Sequence, residues 1–78
     1  MYEEVYELIK AAAARSLRVP EDSFTPETVL KDDFNAKSIN FVQIIGELED
    51  EYEVEIDFMK FRNANTIDAQ TKYVADML

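Results

Sequence analysis

Apolar residues return at helical spacing along most of this chain and at strand spacing over only four residues, which leaves a helical bundle as the way to build a core. Val5, Leu8, Ile9, Ala12 and Ala13 fall at i, i+3, i+4, i+7 and i+8, with Glu3, Glu4, Glu7 and Lys10 on the other side. This first helix is expected to end near Arg15 and Ser16, because Leu17 to Lys37 holds both prolines and clusters of Ser, Thr and Asp. A connection of about twenty residues inside a compact domain needs its own anchors. Leu17, Val19, Phe24, Val29, Leu30 and Phe34 supply them, with a helical turn expected at Pro26 to Leu30.

Ser38 has N-cap chemistry and opens the second helix, which runs through Ile39, Val42, Ile45, Leu48 and Tyr52 on one stripe with Phe41 and Ile44 flanking it. Gly46 inside this helix costs about 1 kcal/mol relative to Ala, so close packing or simple tolerance must explain it. The alternation Glu53-Val54-Glu55-Ile56 has no partner strand and reads as an extended connector burying Val54 and Ile56. A short helix from about Phe58 to Arg62 follows. Thr66 then caps a last helix that turns Ile67, Tyr73, Val74 and Met77 inward. The expected fold is all-α, a small bundle of three principal helices plus one short helix, with a long ordered loop between helices one and two. Residues 1–78 read as a single domain, and a chain of this mass is expected to expose about 4,900 Å² when folded.

Charge and composition exclude more than they assign. Eight Lys and Arg against seventeen Asp and Glu give a net charge of −9, a field that repels phosphate backbones and anionic lipid, so nucleic-acid binding is not expected. With no Cys and no His there is no disulfide, thiolate nucleophile, Ser-His triad or imidazole ligand. A single Gly rules out phosphate-cradling glycine loops. The seven acids between Glu47 and Asp57 lack the spacing of a calcium loop. No metal site and no enzyme activity are expected, nor is stable membrane insertion, since neither a signal sequence nor an eighteen-residue apolar window is present. The expected location is cytoplasmic and the expected state monomeric.

One stretch is specific. Leu30-Lys31-Asp32-Asp33-Phe34-Asn35-Ala36-Lys37-Ser38-Ile39, followed by Asn40 to Tyr52 and the acidic Glu49 to Ile56, resembles the acyl carrier protein family over nearly the whole chain. The resemblance implies that Ser38 carries a 4′-phosphopantetheine arm, placed there from coenzyme A by a phosphopantetheinyl transferase with magnesium. It also implies that an acyl-loading ligase or synthase and acyltransferases of fatty acid, lipid or polyketide biosynthesis act on the cargo, held as a thioester.

The family's attachment motif is usually Gly-x-Asp-Ser-Leu, and this chain has Asn35-Ala36-Lys37-Ser38-Ile39. Asn35 is the non-glycine residue best suited to a left-handed turn, and Ile39 keeps an apolar contact. Lys37 reverses a charge at the positive end of the helix dipole, against the unmodified helix, yet its ammonium is placed to pair with an attached phosphate. Two family positions that typically carry acids are neutral here, Asn40 and Gln43. The resemblance therefore implies a specialised carrier whose partners read Ile39, Asn40, Val42 and Gln43, with acid retained toward Glu47, Glu49 and Glu53. Phe41, Ile44, Ile45, Ile56, Phe58, Met59 and Phe61 are the candidates to line a cavity for the acyl chain. Two other readings stay open: an unmodified acidic helical interaction module, and a carrier of an aminoacyl or D-alanyl group.

Overall fold

The computed structural model describes all 78 residues as helices and connections, with no strand. Helix α1 spans Tyr2–Leu17, α2 Leu30–Asp33, α3 Ser38–Tyr52, α4 Phe58–Asn63 and α5 Ile67–Ala75, and a 3₁₀ turn covers Glu21–Ser23. Three long helices and the short α4 are the expected bundle. The small α2 is an addition, and the exposed surface of 4527 Å² is close to the scaling expectation.

Helix α1 buries Val5, Ile9, Ala12 and Ala13 and packs against both α3 and α5. It runs one residue past Ser16 and stops where Arg18 turns left-handed, at φ 60°, with its N–H bonded to the Ala14 carbonyl. The alanines let α3 and α5 approach closely. From those helices come Phe41, Ile44, Ile45, Leu48, Ile67 and Val74, joined by Phe61 of α4. Phe41 sits edge-on to both Phe58 and Phe61, with centroids 6.4 Å apart in each pair. A fully buried aromatic of this kind contributes about 1.5–3 kcal/mol by burial alone.

The long loop is ordered, as expected, but by different means. Pro26 and Glu27 form a β-turn rather than a helical turn: the Thr28 N–H bonds to the Thr25 carbonyl at 3.1 Å, and the Thr28 hydroxyl accepts the Thr25 N–H at 2.9 Å. The turn offers its carbonyls to α5. Thr28 and Pro26 accept the N–H groups of Ile67 and Asp68, both at 2.9 Å, satisfying donors that a helix start leaves open. The helical turn falls instead at Leu30, whose side chain is buried with that of Phe24, and Phe24 packs on Phe34 at 4.8 Å.

Three other details depart from expectation. On α3 the buried stripe is Phe41, Ile44, Ile45 and Leu48, rotated so that Ile39 and Val42 are 59% and 52% exposed; contact with α1 on one side and α4 on the other selects that face. Met77 is 38% exposed because α5 ends at Ala75. In the interior of α5, Gln70 and Thr71 are buried, which its apolar pattern did not announce. Gly46 faces open space, with nothing within 4 Å of where a Cβ would stand, so tolerance rather than packing explains it. The connector buries Ile56, with Val54 half-buried, and Thr66 caps α5 by accepting the Ala69 N–H at 3.1 Å.

Candidate functional site

Ser38 lies where the loop turns into α3, and the turn is built by its neighbours. Asn35 adopts the left-handed conformation, φ 54°, which Asn tolerates better than other side chains. Ala36 is buried and its N–H bonds back to the Leu30 carbonyl at 3.1 Å. Lys37, in extended backbone, is the N-cap. Ser38, expected as the cap, is instead the first helical residue.

Capping falls to Asn40, whose Oδ1 accepts the Lys37 N–H at 2.8 Å in one half of a capping box. The Lys37 carbonyl in turn accepts the N–H groups of Asn40 and Phe41 at 3.0 and 3.2 Å. The backbone amides of Ser38 and Ile39 donate to no protein atom, and the Ser38 hydroxyl, on an exposed residue, makes no hydrogen bond within the protein. The first turn of α3 carries no acid. An exposed nucleophilic hydroxyl thus stands beside two open N–H donors at the positive end of a fifteen-residue helix, an environment that favours a bound phosphate. The residue before Ser38 is a cation, Lys37, whose ammonium donates to Asn35 Oδ1 at 3.0 Å, so it leans over the loop and has no carboxylate partner.

The surrounding face of α3 divides in two. Asn40 Nδ2 donates to the Ser16 hydroxyl at 2.8 Å, the same hydroxyl bonds Gln43, and Arg15 pairs with Glu47. Asn40, Gln43 and Glu47 are thereby tied to the end of α1. That pairing holds the Arg15 guanidinium above its ordinary value, the hydrogen bond it donates to Glu47 contributing most. Glu49 is also engaged, accepting the Ile56 N–H at 2.8 Å. Ile39 and Val42 remain, one turn apart and open to solvent.

Of the residues expected around an acyl chain, Phe41, Ile44, Ile45, Ile56 and Phe61 are buried and Phe58 is partly buried against them. Met59 points away and is 54% exposed. The six inward residues are packed together; the two concave surfaces of the protein lie elsewhere, along α1 and α3. Tyr2 and Tyr6, one helical turn apart, stack at 5.9 Å. Sequence patterning gave no sign of the Ser16 clamp, since a lone serine at a helix end has no periodicity to betray a partner on another helix.

Comparison with known proteins gives this geometry a context. A family model described as "Phosphopantetheine attachment site" matches residues 7–74. An acyl carrier protein of Rubrobacter xylanophilus is 31% identical over 74 residues, which cover 95% of this chain and 91% of that protein.

Proposed function

This chain belongs to the phosphopantetheine-attachment family of carrier proteins, and on that premise we propose that Ser38 is its attachment residue. The observation that carries the reading is that nothing in the fold uses the Ser38 hydroxyl. A structural N-cap serine accepts a backbone N–H two or three residues on; here Asn40 makes the capping bond. The serine's oxygen is left exposed beside two open amides, free for chemistry rather than for folding.

The protein is a carrier and not a catalyst. When attached, the arm supplies a terminal thiol that holds an acyl group as a thioester. The chain's own residues supply position. The Ser38 and Ile39 N–H groups are the donors available to the phosphodiester, and the α3 dipole favours its charge. Lys37, free of any carboxylate, adds a cation within one residue of the attachment point.

Carrier domains work with a phosphopantetheinyl transferase and with synthases or acyltransferases. For this chain we place the partner surface on Ile39 and Val42, flanked by Lys37, because Asn40, Gln43, Glu47 and Glu49 are already bonded within the molecule. Residues 1–78 act as one monomeric module serving fatty acid, lipid or polyketide synthesis. The net charge of −9 disfavours self-association, and the apolar cluster around Phe41 suits an apolar cargo.

The test is transfer from coenzyme A followed by cleavage at glutamates. The fragment 28–47, in which Ser38 is the sole serine, is expected to gain one phosphopantetheine. A gain on any other fragment contradicts the assignment. Binding of the loaded protein to a housekeeping ketosynthase at full strength contradicts the specialised partner surface.

A further inference from the structure

Far from Ser38, an open groove of about 510 Å³ runs between the N-terminal half of α1 and the C-terminal end of α3. Its floor is apolar, formed by Leu8, Ala11 and Tyr52, and its rim carries Glu4, Glu7, Glu21 and Glu51. Lys10 pairs with Glu7 at 3.3 Å. The other three carboxylates form no ion pair, although the Arg15 guanidinium is close enough to Glu21 to feel its charge. The Tyr52 phenol is held above the ordinary tyrosine value, first by burial and then by Glu4 and Glu51, so rim and floor are near neighbours.

We propose that this groove is a docking surface for a basic segment of a partner polypeptide, one in which Arg or Lys side chains flank an apolar side chain. Charge complementarity selects that occupant. A second copy of a chain with net charge −9 is repelled, as is any acidic surface. A purely apolar occupant strips water from carboxylates that lack ion-pair partners, and a purely cationic one leaves the apolar floor wet. Cations over Glu4, Glu21 and Glu51 with an aliphatic group on Leu8 and Tyr52 satisfy both.

The position has a consequence that rests on the carrier reading. Tyr52 lies fourteen residues along α3 from Ser38, about 21 Å at the rise of an α-helix. A partner holding the groove leaves the Ser38 end open, and a second foothold raises the effective concentration of the cargo at that partner.

The test uses the full chain, apo and loaded, and two peptide probes, Arg-Arg-Leu-Arg-Arg and Arg-Arg-Gly-Arg-Arg, with amide resonances as the readout. The leucine peptide is expected to bind about tenfold more tightly than the glycine peptide, shifting the amides of Leu8, Ala11, Glu51 and Tyr52 and leaving Ser38 to Gln43 unmoved. The combined Glu4→Gln, Glu21→Gln and Glu51→Gln variant is expected to weaken binding about tenfold, and Ala11→Arg, which lays a cation across the floor, to abolish it. Equal affinity for the two peptides, or shifts centred on Glu53 to Asp57 or on Ser38, overturns the proposal. Phosphopantetheine transfer to the same samples separates the two readings: a chain that takes the arm and ignores the leucine peptide loses the groove alone, and one that binds the peptide and refuses the arm loses the carrier reading alone.

Discussion

The side chain of Asn40 accepts the backbone N–H of Lys37 at 2.8 Å, and this one bond separates the folding role of the α3 start from its chemical role. Removing the Ser38 hydroxyl should therefore be nearly neutral for stability. We expect Ser38→Ala to change the unfolding free energy by less than about 0.5 kcal/mol, where loss of a true N-cap serine costs about 1 kcal/mol. Asn40→Ala should carry that larger cost, since it also breaks the bond to Ser16. Urea denaturation of the two variants checks both; a larger loss in Ser38→Ala would place the capping role back on the serine.

Lys37 opposes the helix it begins. Lys37→Asp puts a preferred capping side chain at the N-cap and an anion at the positive end of α3, so the unmodified protein should gain about 1 kcal/mol. A lower melting temperature in that variant contradicts the electrostatic account of Lys37.

The Tyr2 hydroxyl donates to the Asp68 carboxylate, fastening the start of α1 to α5, and Lys72 adds a 3.0 Å ion pair to the same acid. The bond pushes the Tyr2 phenol up to about 12 and holds the Asp68 carboxyl below its ordinary value, Tyr2 contributing more than Lys72. For Tyr2 the folded value lies above the unfolded one, so its contribution is complete below pH 10 and is lost as pH rises toward 12. For Asp68 the sign is opposite: the contribution is present above the usual carboxylate range and fades as pH falls through the depressed value. Melting curves of Tyr2→Phe should show a smaller alkaline loss than the parent, though not none, because the Tyr52 phenol is also raised. Identical alkaline profiles would contradict the latch.

Gly46 has open space on its Cβ side. Gly46→Ala should stabilise the protein by about 0.5–1 kcal/mol through helix propensity and a less flexible unfolded chain. Destabilisation, measured by thermal unfolding, would show a packing contact at that face.

Much of this was legible along the chain. The i, i+4 spacing of Val5, Ile9 and Ala13 sets the buried face of α1, and the chemistry of Thr66 sets the start of α5. The left-handed turn at Asn35 and the family of the Ser38 segment were legible too. What escaped depends on a partner distant in sequence, or on which of two neighbouring side chains makes a local bond. The wide apolar arc of α3 admits either stripe, and only packing against α1 and α4 leaves Ile39 and Val42 outside. Ser38 has the chemistry of a cap, but Asn40 forms the bond, since Oδ1 reaches the Lys37 N–H from one turn inside the helix. Pro26 and Thr28 read as punctuation; that their carbonyls hold the start of α5 follows from tertiary contact alone.

We propose that Ser38, free of structural duty, accepts phosphopantetheine. The most direct test is the intact mass of the purified protein after incubation with coenzyme A, magnesium and a broad-specificity phosphopantetheinyl transferase. A gain of one phosphopantetheine in the parent and none in Ser38→Ala is the predicted result. No gain with several transferases, the host's own among them, or a gain that survives in Ser38→Ala, would contradict it.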